Sequence, residues 1–328
     1  MKRRTVVIAA LLLLVAMAAW GRGAAETEKV VAGVVFQEDQ FMRLVTMGYE
    51  DAAKQAGFRI MLSNTNNDQA REAELINTYV AQNVAGLAIA PLDPITSVAV
   101  LERASSTMKI ALADSPNANA PFIVGGFASD PYNLGATVGA EAAEFIRDKL
   151  GGRAKIALVQ YKSLFVDAST NRVNGFLDAV RKVNPNVEVV MDQDAWMQDR
   201  AIQVAGDILT ARNDIDIIYG ANDGGTIGSV MAVKNAGLAG KCFVFGIDTG
   251  DQQIAMLRDP DNILQAVAGQ DPYTIGTRAM QTVIDAINGK DYSATRGKIT
   301  VVPGQLVSRS NPSGIDAFER DLREKIGR

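Results

Sequence analysis

Three apolar runs of this 328-residue chain end on acidic residues: residues 109–114, 215–223 and 243–248. Each run is typical of a buried parallel strand, and each is followed by a turn and a helical pattern. In open α/β sheets, ligands bind in the crevice beyond the carboxyl ends of the strands. Hydrogen-bonding side chains at that edge, with no catalytic group beside them, indicate a site that holds a polar molecule without transforming it.

The residue types that catalysis needs are scarce. The chain contains no histidine, which is the usual general base and the commonest metal ligand. Its single cysteine, Cys242, lies in a strand-like run and is expected to be a buried, unreactive thiol. The net charge of −4 offers no basic surface to a nucleic acid. We therefore expect a binding protein and not an enzyme, with no cofactor, no metal ion and no nucleic-acid partner.

Sequence motifs for nucleotides, calcium and covalent catalysis are missing as well. Residues 224–228 are rich in glycine and follow a strand, but they do not form G-x-G-x-x-G. The chain has no phosphate-binding P-loop, no G-x-S-x-G nucleophile elbow and no D-x-[DN]-x-[DN]-G calcium loop. These absences favour hydrogen bonding as the only chemistry of the acidic strand ends.

The elements that position the acidic strand ends follow from alternating strand and helix patterns along the chain. Such alternation predicts parallel sheets with helices on both faces. The predicted strands are 30–36, 59–63, 86–90, 109–114 and 122–126, then 155–161, 187–191, 215–219, 242–247 and 263–267. The predicted helices include 41–56, 70–83, 133–150, 171–182 and 275–287.

The two series of strands predict two lobes of similar size, and the chain is long enough for both. We expect the first lobe to comprise residues 28–128 and 271–302, and the second lobe residues 129–270 and 303–310. The chain would then cross between the lobes near 128–131, 270–272 and 303–304. Residues 311–328 read as an amphipathic helical tail that packs on the surface.

The first 25 residues have the pattern of a secretory signal peptide. Basic residues 2–4 precede an apolar run over 6–19, and residues 16–18 offer a small-x-small cleavage signal. Cleavage after Ala18 or nearer Ala25 fits this pattern, and an uncleaved anchor is the alternative. No cysteine follows the run, which excludes lipid attachment there, so we expect an exported, periplasmic protein.

Seven segments form one ordered pattern along the chain: residues 48–57, 88–93, 125–130, 171–176, 221–223, 246–248 and 270–272. In this order and spacing they resemble the ribose-type periplasmic binding proteins of sugar ABC transporters. The resemblance extends from about residue 30 to about residue 307. It implies an α/β fold of two Rossmann-like, doubly wound parallel-sheet domains joined by a three-strand hinge, the type I periplasmic binding protein fold, with a sugar clamped between the domains.

The resemblance also implies which side chains would bind the ligand. The polar residues at matching positions are Asp114, Arg172, Asn222, Asp248 and Gln270. The aromatic ones are Trp196 and Phe41, and the first loop adds Phe36, Gln37 and Asp39. Two positions depart from the family pattern, because Ala90 replaces an asparagine and Ser115 replaces an arginine, so the ligand is not expected to be ribose itself.

Some of these residues also have structural interpretations. Asp223 opens a helix, so we expect it to be the N-cap while Asn222 reaches the ligand. Asp248 could serve the following turn, Arg172 could be a solvated charge and Trp196 could belong to a core. For Gln37 and Asp39 the two interpretations are balanced.

We therefore predict a protein that captures a monosaccharide or small polyol between two lobes, as a monomer, and delivers it to the permease of an ABC importer. A sensory subunit that passes a sugar or furanosyl signal to a chemoreceptor or kinase is the main alternative, because it would share the same site. A sugar-responsive transcription regulator would need a DNA-binding headpiece where this chain has a signal-peptide pattern. A sugar-modifying enzyme would need catalytic groups that the composition does not offer.

Overall fold

The computed structural model describes residues 29–93, 95–116 and 119–327, and the signal peptide predicted over residues 1–25 lies outside them. Strands and helices alternate along the described chain, as the sequence pattern predicts. The strands are β1 (Val30–Val35), β2 (Arg59–Asn64), β3 (Gly86–Ile89), β4 (Lys109–Ala113), β5 (Gly125–Ala128), β6 (Lys155–Gln160), β7 (Glu188–Asp194), β8 (Ile217–Gly220), β9 (Phe243–Ile247), β10 (Leu264–Gly269), β11 (Ile299–Val301) and β12 (Gln305–Ser308). The helices are α1 (Gln40–Gln55), α2 (Gln69–Ala81), α3 (Thr96–Ala104), α4 (Pro131–Lys149), α5 (Val166–Val183), α6 (Gln198–Ala211), α7 (Asp223–Asn235), α8 (Asp251–Arg258), α9 (Pro272–Ile287) and α10 (Pro312–Lys325).

The first sheet has six strands in the order β2-β1-β3-β4-β5-β11, all parallel. Side chains alternate along a strand, so β1 contributes to a core on each face of the sheet. Val31 and Val35 enter the core covered by α1 and α9, whereas Ala32 and Val34 enter the core covered by α2 and α3. We call this sheet with its four helices the first lobe.

The second sheet repeats the arrangement in the order β7-β6-β8-β9-β10-β12. Helices α4 and α5 cover one of its faces, and α6, α7, α8 and α10 cover the other. Strand β12 pairs antiparallel with β10 and is the one departure from the predicted parallel pattern among the described strands. The C-terminal helix α10 buries Ile315 and Phe318 in this core, which agrees with a packing role. We call this sheet with its six helices the second lobe.

The chain passes between the two sheets three times. It does so between β5 and α4, between β10 and α9, and between β11 and β12. These passages fall at residues 129–130, 270–271 and 302–304. The fold is therefore two parallel-sheet α/β domains joined by three segments, as expected.

Glycines let helices of each lobe approach until their backbones touch. In the second lobe, a Cβ on Gly135 of α4 would lie 1.9 Å from the carbonyl oxygen of Arg172 in α5. In the first lobe, a Cβ on Gly276 of α9 would lie 2.2 Å from the carbonyl oxygen of Val45 in α1. No side chain fits into either contact. The close packing of Gly135 against α5 therefore determines how near to α4 the backbone of Arg172 lies.

Element boundaries differ from the sequence prediction by up to five residues, and two of these differences have a visible cause. Helix α5 begins at Val166, five residues before the predicted start at 171, because the amides of Leu164 and Phe165 turn back to the Tyr161 carbonyl at 3.0 Å. Strand β5 begins at Gly125 instead of 122, since the Ile123 amide closes a turn onto Ala120. No helix within residues 29–93, 95–116 and 119–327 combines the length and apolar character that crossing a bilayer requires.

Candidate functional site

A cavity of about 310 Å³ lies between the two lobes, at the carboxyl ends of the central strands. All ten side chains predicted to contact a ligand line this one cavity. Their positions in the chain range from the first loop to the second inter-lobe passage, so only the folded structure brings them together. They are Phe36, Gln37, Asp39, Phe41, Asp114, Arg172, Trp196, Asn222, Asp248 and Gln270.

Two aspartates face the cavity from equivalent places in the two lobes. Asp114 follows β4 and Asp248 follows β9, and each strand is the fourth in its sheet when counted from the β2 or β7 edge. Both have left-handed backbones, with φ of 50° and 74°, which is uncommon outside glycine. Each amide still donates to the neighbouring strand, to Phe127 and Ala268 respectively at 2.9 Å. This local strain directs both carboxylates to the cavity, and such strain is concentrated at functional sites.

Arg172 is the one cationic side chain among the described residues that line the cavity. It is only 8% exposed, and its guanidinium lies over the Tyr161 ring at 5.0 Å from the ring centroid. Nη1 donates to the Ala221 carbonyl at 2.9 Å, whereas the buried Nε has no hydrogen-bond partner in the described part of the chain. A buried N–H without an acceptor is costly, so Nε is available to an oxygen that enters the cavity.

The carboxylates of the cavity affect one another's ionisation. Burial raises the pKa of Asp114 to about 7; Arg172 opposes this rise, and Asp248 and Asp39 add to it. Burial raises the pKa of Asp223 as well, and the negative charges of Asp248 and Asp39 raise it further. Four carboxylates from three strand ends and the first loop thus share one poorly hydrated space.

The assignment of Asp223 as the N-cap of α7 is wrong. Asn222 has the extended backbone of a cap residue, and its Oδ1 accepts from the Gly225 amide at 3.0 Å. Its Nδ2 donates to the Trp196 carbonyl at 2.8 Å, so both ends of the amide are bonded within the protein. Asp223 is the first helical residue; it accepts from its neighbour's amide, Gly224, at 2.7 Å and lines the cavity. Adjacent Asn and Asp residues are equally good caps, and the backbone angles choose between them.

The first loop combines capping with cavity lining. Asp39 is the N-cap of α1 and accepts from the Met42 amide at 2.7 Å. The Gln37 side chain donates to the other oxygen of the same carboxylate. Asp39 therefore caps α1 and also lines the cavity, so the two interpretations are compatible.

Gln270 and Trp196 each connect the cavity to the second lobe. Gln270 lies in the second inter-lobe passage, is 7% exposed and donates to Asp248 Oδ1 at 2.7 Å. Trp196 packs against the core under α4 and α5 while it lines the cavity. The core interpretation of Trp196 and its place at the site are thus compatible.

Several cavity residues lay outside the sequence prediction. Tyr161 ends the run of β6 and stacks with Arg172, so its strand-end position was the available signal. Ser129 lies in the first inter-lobe passage, and its buried Oγ has no partner in the described ranges. Of the two positions that depart from the family pattern, Ser115 lines the cavity, whereas Ala90 is buried in the core covered by α1 and α9.

The lobes touch each other around the cavity. The rings of Phe36 and Phe165, one from each lobe, meet edge to face at 5.8 Å between centroids. Elsewhere, Gln40 donates from Nε2 to Asp251 Oδ1 at 3.1 Å and accepts from the Asp251 amide at 3.0 Å. These contacts join the two lobes beside the cavity.

Comparisons with known proteins identify the class. A family model described as a periplasmic binding protein domain matches residues 31–291. The D-allose-binding periplasmic protein of Escherichia coli K12 is 30% identical over 251 residues, which are 73% of this chain and 78% of that protein. The ABC transporter periplasmic-binding protein YphF of the same organism is 26% identical over 294 residues, 88% of each chain.

Solved structures show the same fold. A solute-binding protein from Bacillus halodurans with bound myo-inositol superposes with a TM-score of 0.79 at 18% identity, covering 90% of this chain and 99% of that one. One from Actinobacillus succinogenes with bound D-allose has a TM-score of 0.76 at 24% identity and covers 86% of this chain and 98% of that one.

The chain belongs to the periplasmic binding protein family. The resemblance to the sugar-binding solute-binding proteins of ABC transporters is thereby confirmed. These relatives are transport proteins and not enzymes, as expected for this chain, and the family is extracytoplasmic.

Proposed function

We propose that this protein captures a monosaccharide or small polyol between its two lobes and delivers it to the permease of an ABC importer. The observation that carries the proposal is the pair Asp114 and Asp248, which face one cavity from opposite lobes beside the unpartnered Nε of Arg172. D-Allose is the ligand named for one relative and for one solved neighbour, which supports the same class of ligand.

The types of residue suit a polyhydroxylated ligand. A carboxylate accepts from two neighbouring hydroxyls, and an arginine N–H donates to the same oxygens. Aromatic rings such as those of Phe41 and Trp196 cover the C–H faces of a sugar. A hydrogen bond to a charged group contributes about 1.5–3 kcal/mol, so a few of them reach the roughly −8 kcal/mol of micromolar binding.

We further propose that the lobes close on the ligand by rotation about the three inter-lobe passages. The division would follow the boundaries expected from the sequence, with residues 28–128 and 271–302 in one lobe and 129–270 and 303–310 in the other. Hinge closure around a ligand is a common motion of two-lobed binding proteins. The functional protein would be an exported monomer without its signal peptide.

Titration calorimetry against pentoses, hexoses and polyols tests this proposal. We expect at least one of them to bind with micromolar affinity. Asp114→Ala is expected to abolish that binding without lowering the melting temperature of the unliganded protein. Asp148→Ala is the matched control, because Asp148 is an exposed aspartate paired with Arg147 on the surface. No heat with any compound, or a large loss of unliganded stability in Asp114→Ala, would contradict the proposed role.

A further inference from the structure

The charges that line the cavity are unbalanced. Four carboxylates face one another there, those of Asp39, Asp114, Asp223 and Asp248. Against them the described lining offers a single cation, Arg172. Two further acidic residues lie at the cavity, Asp93, whose carboxylate is bonded to the start of α3, and the exposed Asp167. Beside a neutral ligand these carboxylates would either carry uncompensated negative charge or stay protonated, the direction in which the raised pKa values of Asp39, Asp114 and Asp223 point.

Internal hydrogen bonds leave oxygens free on three of these carboxylates, whereas each oxygen of Asp39 already accepts one bond. Asp114 has no hydrogen-bond donor to its side chain among the described residues, and Gln270 serves only one oxygen of Asp248. For Asp223, the Gly224 amide and the Asn222 amide both donate to the same oxygen. Burying an anion is costly unless a cation or several donors accompany it, so these free oxygens require donors from the ligand.

Two buried polar groups show that the cavity is built to receive a ligand. Arg172 Nε and Ser129 Oγ belong to side chains that are 8% and 3% exposed, and both lack partners within the described chain. They lie in the same cavity lining as the carboxylates. Hydroxyl groups of a polyol would provide hydrogen-bond partners for Arg172 Nε and Ser129 Oγ. They would not balance the excess of carboxylates in the cavity.

A metal ion is one cation that could balance this charge. Within the described ranges, no group of three or more acidic or other metal-ligating side chains has an arrangement that could hold one. A protonated amine fits better, because it carries a full positive charge and three N–H donors. Asp39 from the first lobe and Asp223 and Asp248 from the second line the same cavity, and the space between them is the place for that amine.

We propose that the ligand is an amino sugar or amino polyol, in which a protonated amine meets Asp39, Asp223 and Asp248 while hydroxyls meet Asp114 and Arg172. This inference rests on the proposed function and narrows its class of ligand.

Matched pairs of compounds in titration calorimetry test the inference. Each pair is a neutral polyol and its amino-deoxy counterpart: D-glucose and D-glucosamine, D-galactose and D-galactosamine, myo-inositol and an amino-deoxy inositol. The N-acetylated form of each amine is the control for shape without charge. We expect the amine to bind at least about tenfold more tightly than its partner and N-acetylation to remove that advantage.

Variants locate the effect. Asp223→Asn and Asp39→Asn keep the shape of the side chains, and each is expected to reduce the preference for the amine to below about threefold. Asp148→Asn on the surface leaves the preference unchanged. Equal or tighter binding of the neutral partner would overturn the amine assignment and leave the proposed function standing. The absence of heat with every compound would contradict the proposed function itself, and the amine assignment with it.

A second measurement does not depend on the choice of compounds. Mass spectrometry of the small molecule released when the natively produced protein is denatured gives its elemental composition. A polyhydroxylated ligand that contains a basic nitrogen supports the assignment, and one without nitrogen overturns it.

Discussion

The two walls of the cavity are built differently. On the second-lobe wall, the polar side chains are held by bonds within the protein: Asn222 to Trp196 and Gly225, Gln270 to Asp248, and Arg172 to Ala221. On the first-lobe wall, Asp39 accepts from Gln37 and from the Met42 amide, whereas Asp114 has no such bond among the described residues. The first loop also adds two aromatic rings to this wall.

This difference indicates that the two walls contribute differently to ligand binding. The second-lobe wall has its geometry before a ligand arrives, so little ordering entropy remains to be lost there on binding. The Asp114 carboxylate depends on the ligand for its hydrogen bonds. Substitutions on the second wall should therefore lower both stability and affinity, whereas those at Asp114 should lower affinity without lowering stability.

The largest expected effect is that of Arg172→Ala. It removes the free Nε donor, the hydrogen bond to Ala221 and the contact with Tyr161 at once. We expect affinity for the ligand to fall more than about 100-fold and the free energy of unfolding to fall by about 2–3 kcal/mol. Calorimetry and urea denaturation measure the two quantities. Unchanged stability of Arg172→Ala would contradict the claim that the side chains of the second-lobe wall contribute to stability as well as to binding.

The second prediction concerns the helix contact that holds Arg172 in place. Gly135→Ala inserts a methyl group where only 1.9 Å separates its position from the Arg172 carbonyl oxygen. We expect a loss of about 1–3 kcal/mol or more, which lowers the melting temperature by roughly 2–4 °C for each kcal/mol. Gly206→Ala is the control, because its Cβ would meet nothing within 4 Å. That variant should gain about 0.5–1 kcal/mol, and equal effects at both positions would argue against a rigid second wall.

The third prediction uses the ionisation of Asp114. Its pKa of about 7 lies far above that of an aspartate in an unfolded chain, about 3.9. Between these values the folded protein holds a proton that the unfolded chain has lost. The free energy of unfolding of the unliganded protein therefore falls as the pH rises through this window and levels off above it.

Asp114→Asn should reduce that slope, and thermal melts at about pH 5 and about pH 8 compare it with the wild type. The groups that act on Asp114 are Arg172, Asp248 and Asp39. Asp223 contributes with the same sign, so part of the slope remains. A variant with the wild-type slope would show that Asp114 is ionised throughout. Asp148→Asn is the exposed control.

The smallest effect is expected at the contact between the lobes. Gln40→Ala removes two exposed hydrogen bonds between Gln40 and Asp251. These bonds join the two lobes and do not involve the carboxylates that line the cavity. Each such bond contributes about 1 kcal/mol or less, so affinity should weaken only about two- to fivefold. Gln203→Ala, on the outer surface of the second lobe, is the control. A loss as large as that of Arg172→Ala would mean that closure, and not the walls, dominates binding.

The fold was largely predictable because βα alternation and strand-end polarity are local patterns. The positions of Asp114 and Asp248 at strand ends followed from the ends of two apolar runs. The antiparallel direction of β12 was not predictable, since it depends on the path of the third passage between the sheets.

The residues that line the cavity were predictable from the sequence, whereas their hydrogen bonds were not. All ten predicted residues line the cavity, yet the exchange of roles between Asn222 and Asp223 depends on the backbone angles of one residue. The early start of α5 gave no sequence signal because no side chain caps it. Which polar atoms are consumed within the protein, and which remain free for a ligand, is decided by tertiary contacts.

The most direct test of the central claim is a calorimetric double-mutant cycle on Asp114→Ala and Asp248→Ala, with the ligand that the compound panel identifies. The two carboxylates belong to opposite lobes and face one cavity. If they hold the same molecule, each single variant loses at least about 100-fold in affinity, and the double variant loses less than the product of the two. Wild-type affinity in either single variant would contradict the account, because a ligand held by one lobe alone needs no partner across the cleft.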